Sequence, residues 1–384
     1  MQMFFRSFLL CIYSRTPNTK TRIVQDAYSQ IEHVDQVASN VIGANGTFRT
    51  IPETVHYNPS KRTPPFFQVL HDDFLNIIGS NPTLTVISSD PSFAFAHEAP
   101  VWVLDRERNT NDIFFASNAG GLLGRSGIDQ NNQVSRISMK VVDEAMRLAG
   151  RGKDVNVTYD KIDLPESVQM TNGGTGLYEG KIILMNEGRG HRPSNMVFMD
   201  PYPPYNVIVA LDNFYGRQFN SLNDVKVFER DTIYFTDVPY GYYQHFKPEP
   251  QLPSQVYSFN PRTGAVRVVA DGLNKPNGIA FSANYERAYV TDTGVLLGSG
   301  TDRTLPATIY QYDMDIISNS FINKRVFAYA DSAAQMVSMW INMGMCMLAA
   351  PTVFTYGTPP VSSSESSSSA NNLPILSSRI RAVW

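Results

Sequence analysis

The chain has 384 residues, 42% of them hydrophobic and 11% aromatic, with a formal net charge of −3. That length holds one large all-β domain or two average ones, and a near-neutral charge without any block of Lys or Arg argues against nucleic acid or a membrane surface as partner. Two cysteines, Cys11 and Cys346, stand near opposite ends and imply no disulfide framework.

Residues 1 to about 60 read as a polar, poorly structured lead-in. Near its start Phe4, Phe5, Phe8, Leu9, Leu10 and Ile12 form an apolar patch that Arg6 interrupts. A secretory signal requires a longer unbroken apolar stretch and a small-residue cleavage site, so the compartment, secreted or cytoplasmic, stays open. Asn45-Gly46-Thr47 and Asn156-Val157-Thr158 are glycosylation acceptors in a secreted chain. Leu84-Thr85-Val86-Ile87-Ser88 alternates like a strand, of the kind that completes the last blade of a propeller. Residues 101–118 read as a hairpin turning at Arg106 to Thr110, and 141–148 as a short surface helix. Further on, Gln255-Val256-Tyr257-Ser258-Phe259-Asn260 alternates, Pro261-Arg262-Thr263-Gly264 turns and 265–270 returns; 308–312 and 325–329 repeat the pattern.

Four apolar strands with polar caps recur along this stretch. They are Ile113-Phe114-Phe115-Ala116-Ser117-Asn118, Ile182-Ile183-Leu184-Met185-Asn186-Glu187, Ile233-Tyr234-Phe235-Thr236-Asp237 and Ala288-Tyr289-Val290-Thr291-Asp292. Their spacing, roughly fifty to seventy residues, is that of four-stranded propeller blades with some long loops. They read as inner strands lining a central channel, and residues 61–332 as one propeller domain.

Three motifs carry the chemistry: His97-Glu98-Ala99-Pro100-Val101-Trp102, Asn220-Ser221-Leu222-Asn223-Asp224-Val225 and Pro276-Asn277-Gly278-Ile279-Ala280-Phe281-Ser282. Each sets a carboxylate or amide just before an apolar strand, at equivalent points of successive repeats. Glu98, Asn223 and Asn277 would then form a ring of hard oxygen donors at one mouth of the channel, suited to Ca2+ more than to zinc. The competing reading is that Asn-Gly and Asn-Asp are ordinary turn residues.

Residues 82–331, most specifically 220–237 and 273–294, resemble the family of senescence marker protein 30, gluconolactonases and fungal lactonohydrolases, in particular its fungal lactonase branch. The resemblance implies a six-bladed all-β propeller holding one divalent cation, usually calcium, with a Glu, two Asn and an Asp. Glu98, Asn223 and Asn277 match three of those positions. It implies a calcium-dependent lactonohydrolase acting on a sugar-type or aldonate lactone, a small-molecule partner. A non-enzymatic calcium-binding propeller and a phosphotriesterase-type hydrolase on the same fold remain open. His97 and His191 are lesser candidates for proton carriers, Tyr240 and Tyr242 for an aromatic wall beside the substrate. Asp224 orients Asn223 or bonds a backbone amide, whereas Asp237 and Asp292 read as turn formers.

The family's fourth ligand and presumed general base, an Asp in a Pro-Asp-Gly loop, is absent. Past Asp331, Met336, Met339, Met343, Met345 and Met347 crowd around Trp340, and a Ser-rich tract follows. Read one base back, the codons behind Ala334-Gln335-Met336-Val337 can encode Pro-Asp-Gly with an obligatory Gly, and the continuation reads strand, turn, strand. The expectation is that 333–384 are translated out of frame as a disordered tail, leaving the last blades incomplete after about residue 332. The chain as written is then unstable or inactive, and the frame-restored form a working enzyme. The alternative is a genuine tail whose residues 333–354 form a membrane helix.

Overall fold

The structure is a computed structural model. It describes residues 85–329 except 229–231, 298, 299 and 316, and beyond them the backbone of Ser7–Tyr13, Ile31–His33, Phe67–Val69, residues 83 and 84, Val337–Ile341, Met345–Ala349 and Phe354–Gly357. The described chain is mostly strand. Four antiparallel sheets of four strands follow one another, each strand hydrogen-bonded to its successor. The first holds Glu98–Asp105, Thr110–Ala116, Val134–Ser138 and Asp160–Lys161; the second Thr171–Tyr178, Lys181–Asn186, Asn195–Met199 and Val207–Leu211. The third holds Leu222–Phe228, Thr232–Asp237, Gln255–Asn260 and Ala265–Ala270; the fourth Pro276–Phe281, Arg287–Asp292, Thr308–Asp315 and Ser320–Tyr329.

The first strands of successive sheets touch one another, so they converge on a common axis as the innermost strands of propeller blades do. The four apolar signatures are therefore not innermost; each forms the second strand of its sheet. A second strand lies between two hydrogen-bonded neighbours and between two adjoining sheets. Both its faces are dry, and its sequence becomes a continuous apolar run. Thr232–Asp237 is buried at every position. The innermost strands face a different demand, close approach to one another, and small residues meet it. A Cβ on Gly173 would lie 1.9 Å from Asn223 O, and one on Gly174 2.9 Å from Val101 Cγ2.

Three apolar interfaces join the sheets. Val101, Phe114, Leu184 and Val197 fill the first, Ile183, Met185, Phe235 and Tyr257 the second, and Tyr234, Val256, Ile279 and Val290 the third. Rings of Phe235 and Tyr257 stack at 5.4 Å, and those of Tyr234 and Phe321 at 5.2 Å. Each fully buried side chain of this size contributes about 1.5–3 kcal/mol.

The strand expected at 84–88 spans Thr83–Asp90 and pairs with Ser7–Tyr13. Val155 N and Val157 N, in the loop before Asp160–Lys161, donate to Val86 O and Ile87 O, both at 2.9 Å, and Ile87 enters the core around Phe95 and Phe115. The short helix runs Met139–Ala149 and buries Met139 and Val142. Of the segment expected to be out of frame, Val337–Ile341, Met345–Ala349 and Phe354–Gly357 form a three-stranded antiparallel sheet beside the fourth, which is not the helix of the alternative tail. The rest of 333–384 and most of the lead-in lie outside the described residues. Among the described residues no helix is long and apolar enough to cross a membrane.

Candidate functional site

Every innermost strand begins with the same irregularity. The opening pairs are Glu98 with Ala116, Thr171 with Asn186, Leu222 with Asp237 and Pro276 with Asp292. Immediately after each, the register slips by one extra residue, at Ala99-Pro100, Asn172, Asn223-Asp224 and Asn277-Gly278. Such bulges re-aim a side chain and recur beside active sites. Asn172, Asn223 and Asn277 thus share one register at one mouth of the axis. Glu98 stands one residue earlier, at the level of Leu222 and Pro276, and Ala99, with a left-handed φ of 51°, takes the place of the amides.

Two aspartates hold the approaches to Asn223 and Asn277. Asp237 accepts from Asn220 N at 3.0 Å and Ser221 N at 2.8 Å; Asp292 accepts from Asn274 N and Lys275 N, both at 2.8 Å, and from Gly294 N at 3.2 Å. Burial pushes the Asp237 carboxyl up to about 7, outweighing its amide bonds. Asp224 bonds a neighbouring backbone: its Oδ2 accepts from Ile279 N at 2.8 Å, while Thr236 Oγ1 donates to Asn277 O at 2.7 Å. These two bonds lock the third and fourth sheets together beside the candidate ligands. Asp292→Ala would strand three backbone amides, so it is expected to destabilise the fold by about 3 kcal/mol or more in urea unfolding.

Past the second strand of each sheet comes another set of equivalent positions, Ser117, Glu187, Val238 and Thr293. In the fourth sheet, Thr293 Oγ1 meets the Tyr240 hydroxyl, which also accepts from Asn277 Nδ2 at 3.3 Å. In the second sheet, Glu187 is fully buried. Its Oε1 accepts from Asn172 Nδ2 at 2.8 Å, and its Oε2 has no partner. Burial pushes Glu187 up to about 8; the Asn172 bond opposes this, the charge of Glu98 adds to it, and a bond with Ser221 and the charge of Lys247 oppose it further. Burial likewise pushes the Tyr240 phenol up to about 12, with the charge of Glu187 contributing. Lys247 is held down to about 8 by burial, against the pull of Asp237 and Glu187. His97 Nδ1 lies 3.0 Å from Glu98 Oε1.

The polar cluster at this mouth thus holds two hydrogen-bonded groups, Asn172 with Glu187 and Asn277 with Tyr240 and Thr293; the charge of Glu98 acts on Glu187, and Asn223 is set between Asn172 and Asn277 in the series of bulges. His191 lies exposed on the turn after Gly188. Tyr242 is 42% exposed, its ring against Tyr243. Neither is tied to the cluster by a hydrogen bond. Asn172 and Glu187 are the additions the sequence reading missed. The signal for Asn172 was present, since Asn172-Gly173 repeats the Asn277-Gly278 pair. A cavity of about 280 Å³ between Thr232, Ser258, Arg267 and Ile317 lies at the opposite end of the third sheet from Asp237.

The resemblance implies a divalent cation, and the donors fit one. Among the described residues no three His, Cys, Asp or Glu side chains form a metal-holding group, so a cation there would rely on amide oxygens beside carboxylates. That is the hard donor set calcium accepts. Glu187, fully buried with its Oε2 unpartnered, would carry a negative charge there only beside a positive one.

Residues 162–341 match the family model described as SMP-30/gluconolactonase/LRE-like region. The chain is 29% identical over 285 residues to the lactonohydrolase oryL of Aspergillus oryzae, covering 68% of this chain and 59% of that protein. It is 25% identical over 241 residues to a gluconolactonase of Zymomonas mobilis, covering 62% and 57%. The chain thus spans less than two thirds of either relative's length. A solved gluconolactonase from Xanthomonas campestris superposes with a TM-score of 0.53 at 18% identity, over 78% of this chain and 86% of that one, a likeness of fold.

Proposed function

From a chain that resembles the SMP-30/gluconolactonase family, with an SMP-30/gluconolactonase/LRE-like region at 162–341, we propose a calcium-dependent lactonohydrolase that opens a sugar-type or aldonate lactone to its hydroxy acid. The observation that supports it best is the shared bulge register of Asn223 and Asn277, with Glu98 one residue away, at one mouth of converging strands. We propose that Glu98, Asn223 and Asn277 hold the cation and that the complete ring has six blades. When bound, the ion supplies positive charge that polarises the lactone carbonyl.

The remaining steps belong to side chains. Asp237 and Asp292 fix the loops that aim the two amides. Tyr240, partly buried with its hydroxyl on Thr293 and Asn277, would stand beside the substrate. With its Nδ1–H donated to Glu98 Oε1, His97 has Nε2 free to take a proton from water as the oxygen adds to the carbonyl carbon. That proton then goes to the ring oxygen as the ester bond breaks. In the frame-restored chain, the Asp of the Pro-Asp-Gly loop takes this role and adds its charge at the cation.

An assay of the present and frame-restored chains on an aldonolactone and an organophosphate, with and without chelator, tests the proposal. Lactone turnover is expected to fall at least about 100-fold when calcium is removed, and to be the stronger in the restored chain. Turnover indifferent to chelator would sink the reading. Preference for the organophosphate would favour the phosphotriesterase alternative, and calcium uptake without turnover the non-enzymatic one.

A further inference from the structure

We infer that Glu187 is a direct oxygen ligand of the divalent cation and supplies the site's second negative charge from the second sheet. The inference rests on the proposed cation site and deepens it. The resemblance assigns the second carboxylate to an Asp in a later blade. The described structure places one elsewhere, among residues that the three sequence motifs do not include.

Position comes first. Glu187 follows its second strand as Thr293 follows its own, and Thr293 touches both Tyr240 and the candidate ligand Asn277. The same register therefore brings Glu187 to the mouth. Its surroundings agree: Asn172, from the bulge equivalent to Asn223 and Asn277, donates to it, and the charge of Glu98 acts on it.

Energetics comes second. Ionising a fully buried carboxyl is costly even with Asn172 and Ser221 bonded to it, as its position at about 8 shows, unless a cation compensates the charge. Glu98 makes this worse, because like charges in a poorly solvated site repel. Lys247 is the protein cation whose charge reaches Glu187, but its ammonium forms no ion pair there; it donates to Arg192 O at 3.3 Å. Asn172 holds Oε1 and so fixes the carboxylate plane, leaving Oε2 as the free donor atom. A hard divalent ion held by Glu98 and Glu187 would offset both the repulsion and the desolvation. Calcium affinity rises with the number of charged ligands, so this second carboxylate is expected to dominate binding in the chain as it stands.

Calcium titration by calorimetry on the full chain, on Glu187→Gln and on Glu98→Gln, with thermal melts in calcium and in chelator, provides the test. Glu187→Gln is expected to weaken calcium binding by about 100-fold or more, beyond the roughly 10-fold that follows loss of an orienting neighbour such as Asn172→Ala. In chelator it should melt close to the parent temperature, because burial keeps the metal-free carboxyl protonated and a neutral amide then replaces a neutral acid, and calcium should no longer raise that temperature. If Glu187→Gln fails to fold, Glu187→Asp keeps the charge and should bind about tenfold more weakly than the parent; unchanged affinity in it would count against the inference. Calcium affinity in Glu187→Gln within about threefold of the parent, while Glu98→Gln loses binding, would overturn the inference and leave the cation site standing. No calcium uptake by the parent would overturn both.

Discussion

Glu98→Gln is expected to abolish calcium-dependent lactone hydrolysis. The substitution keeps the shape of the side chain and an oxygen able to meet His97 Nδ1, which now lies 3.0 Å away. What it removes is the charge. The amides of Asn223 and Asn277 bring oxygen but no charge, so the site loses a negative charge that they do not replace. Loss of electrostatic stabilisation of this kind costs roughly 10²–10³ in turnover, and weaker ion binding adds to it. The frame-restored chain should therefore lose about 1,000-fold in kcat/KM, with a smaller loss for Glu98→Asp, which keeps the charge. Initial-rate assays across calcium concentration check this. Activity within about threefold of the parent would remove Glu98 from the machinery.

Gly173→Ala is expected to prevent folding. The added Cβ would stand 1.9 Å from Asn223 O, 2.9 Å from Asn223 C and 3.0 Å from Asp224 Cα. All three are backbone atoms of the next innermost strand, so no side-chain rotation relieves the clash. The second and third sheets would have to part, opening the interface of Met185, Phe235 and Tyr257. Overpacking of this severity costs upwards of about 3 kcal/mol, a large share of a domain's margin. Gly176→Ala is the control: nothing lies within 4 Å of its Cβ position, and its effect should stay within about 0.5 kcal/mol. Soluble yield and urea midpoints of the two variants decide the matter. A normally folded Gly173→Ala protein would contradict the close approach of the two strands.

Local pattern explains which parts of this architecture could be read from residues alone. The alternation at 255–260 and the return at 265–270 match the strands Gln255–Asn260 and Ala265–Ala270 at their ends. The innermost strands were missed because apolar continuity reports burial, and burial is greatest one strand further out. Thr171–Tyr178 has no apolar run at all; its glycines answer to a neighbouring backbone 50 residues away in sequence, since Gly173 faces Asn223. The site divides in the same way. Asn223 and Asn277 lie in recognisable motifs and share a register. The one-residue offset of Glu98 depends on cross-strand pairing, which spacing within a motif does not encode. Glu187 was visible as the cap of an apolar strand, and only its bare, buried oxygen sets it apart. Tyr240 and Tyr242 are two residues apart on one short helix, which turns the first toward Asn277 and the second to solvent.

The extra residue at the start of each innermost strand has a consequence for how such a protein diversifies. A residue outside the regular ladder can change its side chain without interrupting the pairing on either side of it. Asn172, Asn223 and Asn277 occupy such places, so what the mouth binds is written in positions that the scaffold does not depend on. Drift there would retune chemistry while the walls persist, and drift at Gly173, one residue along, would end the lineage.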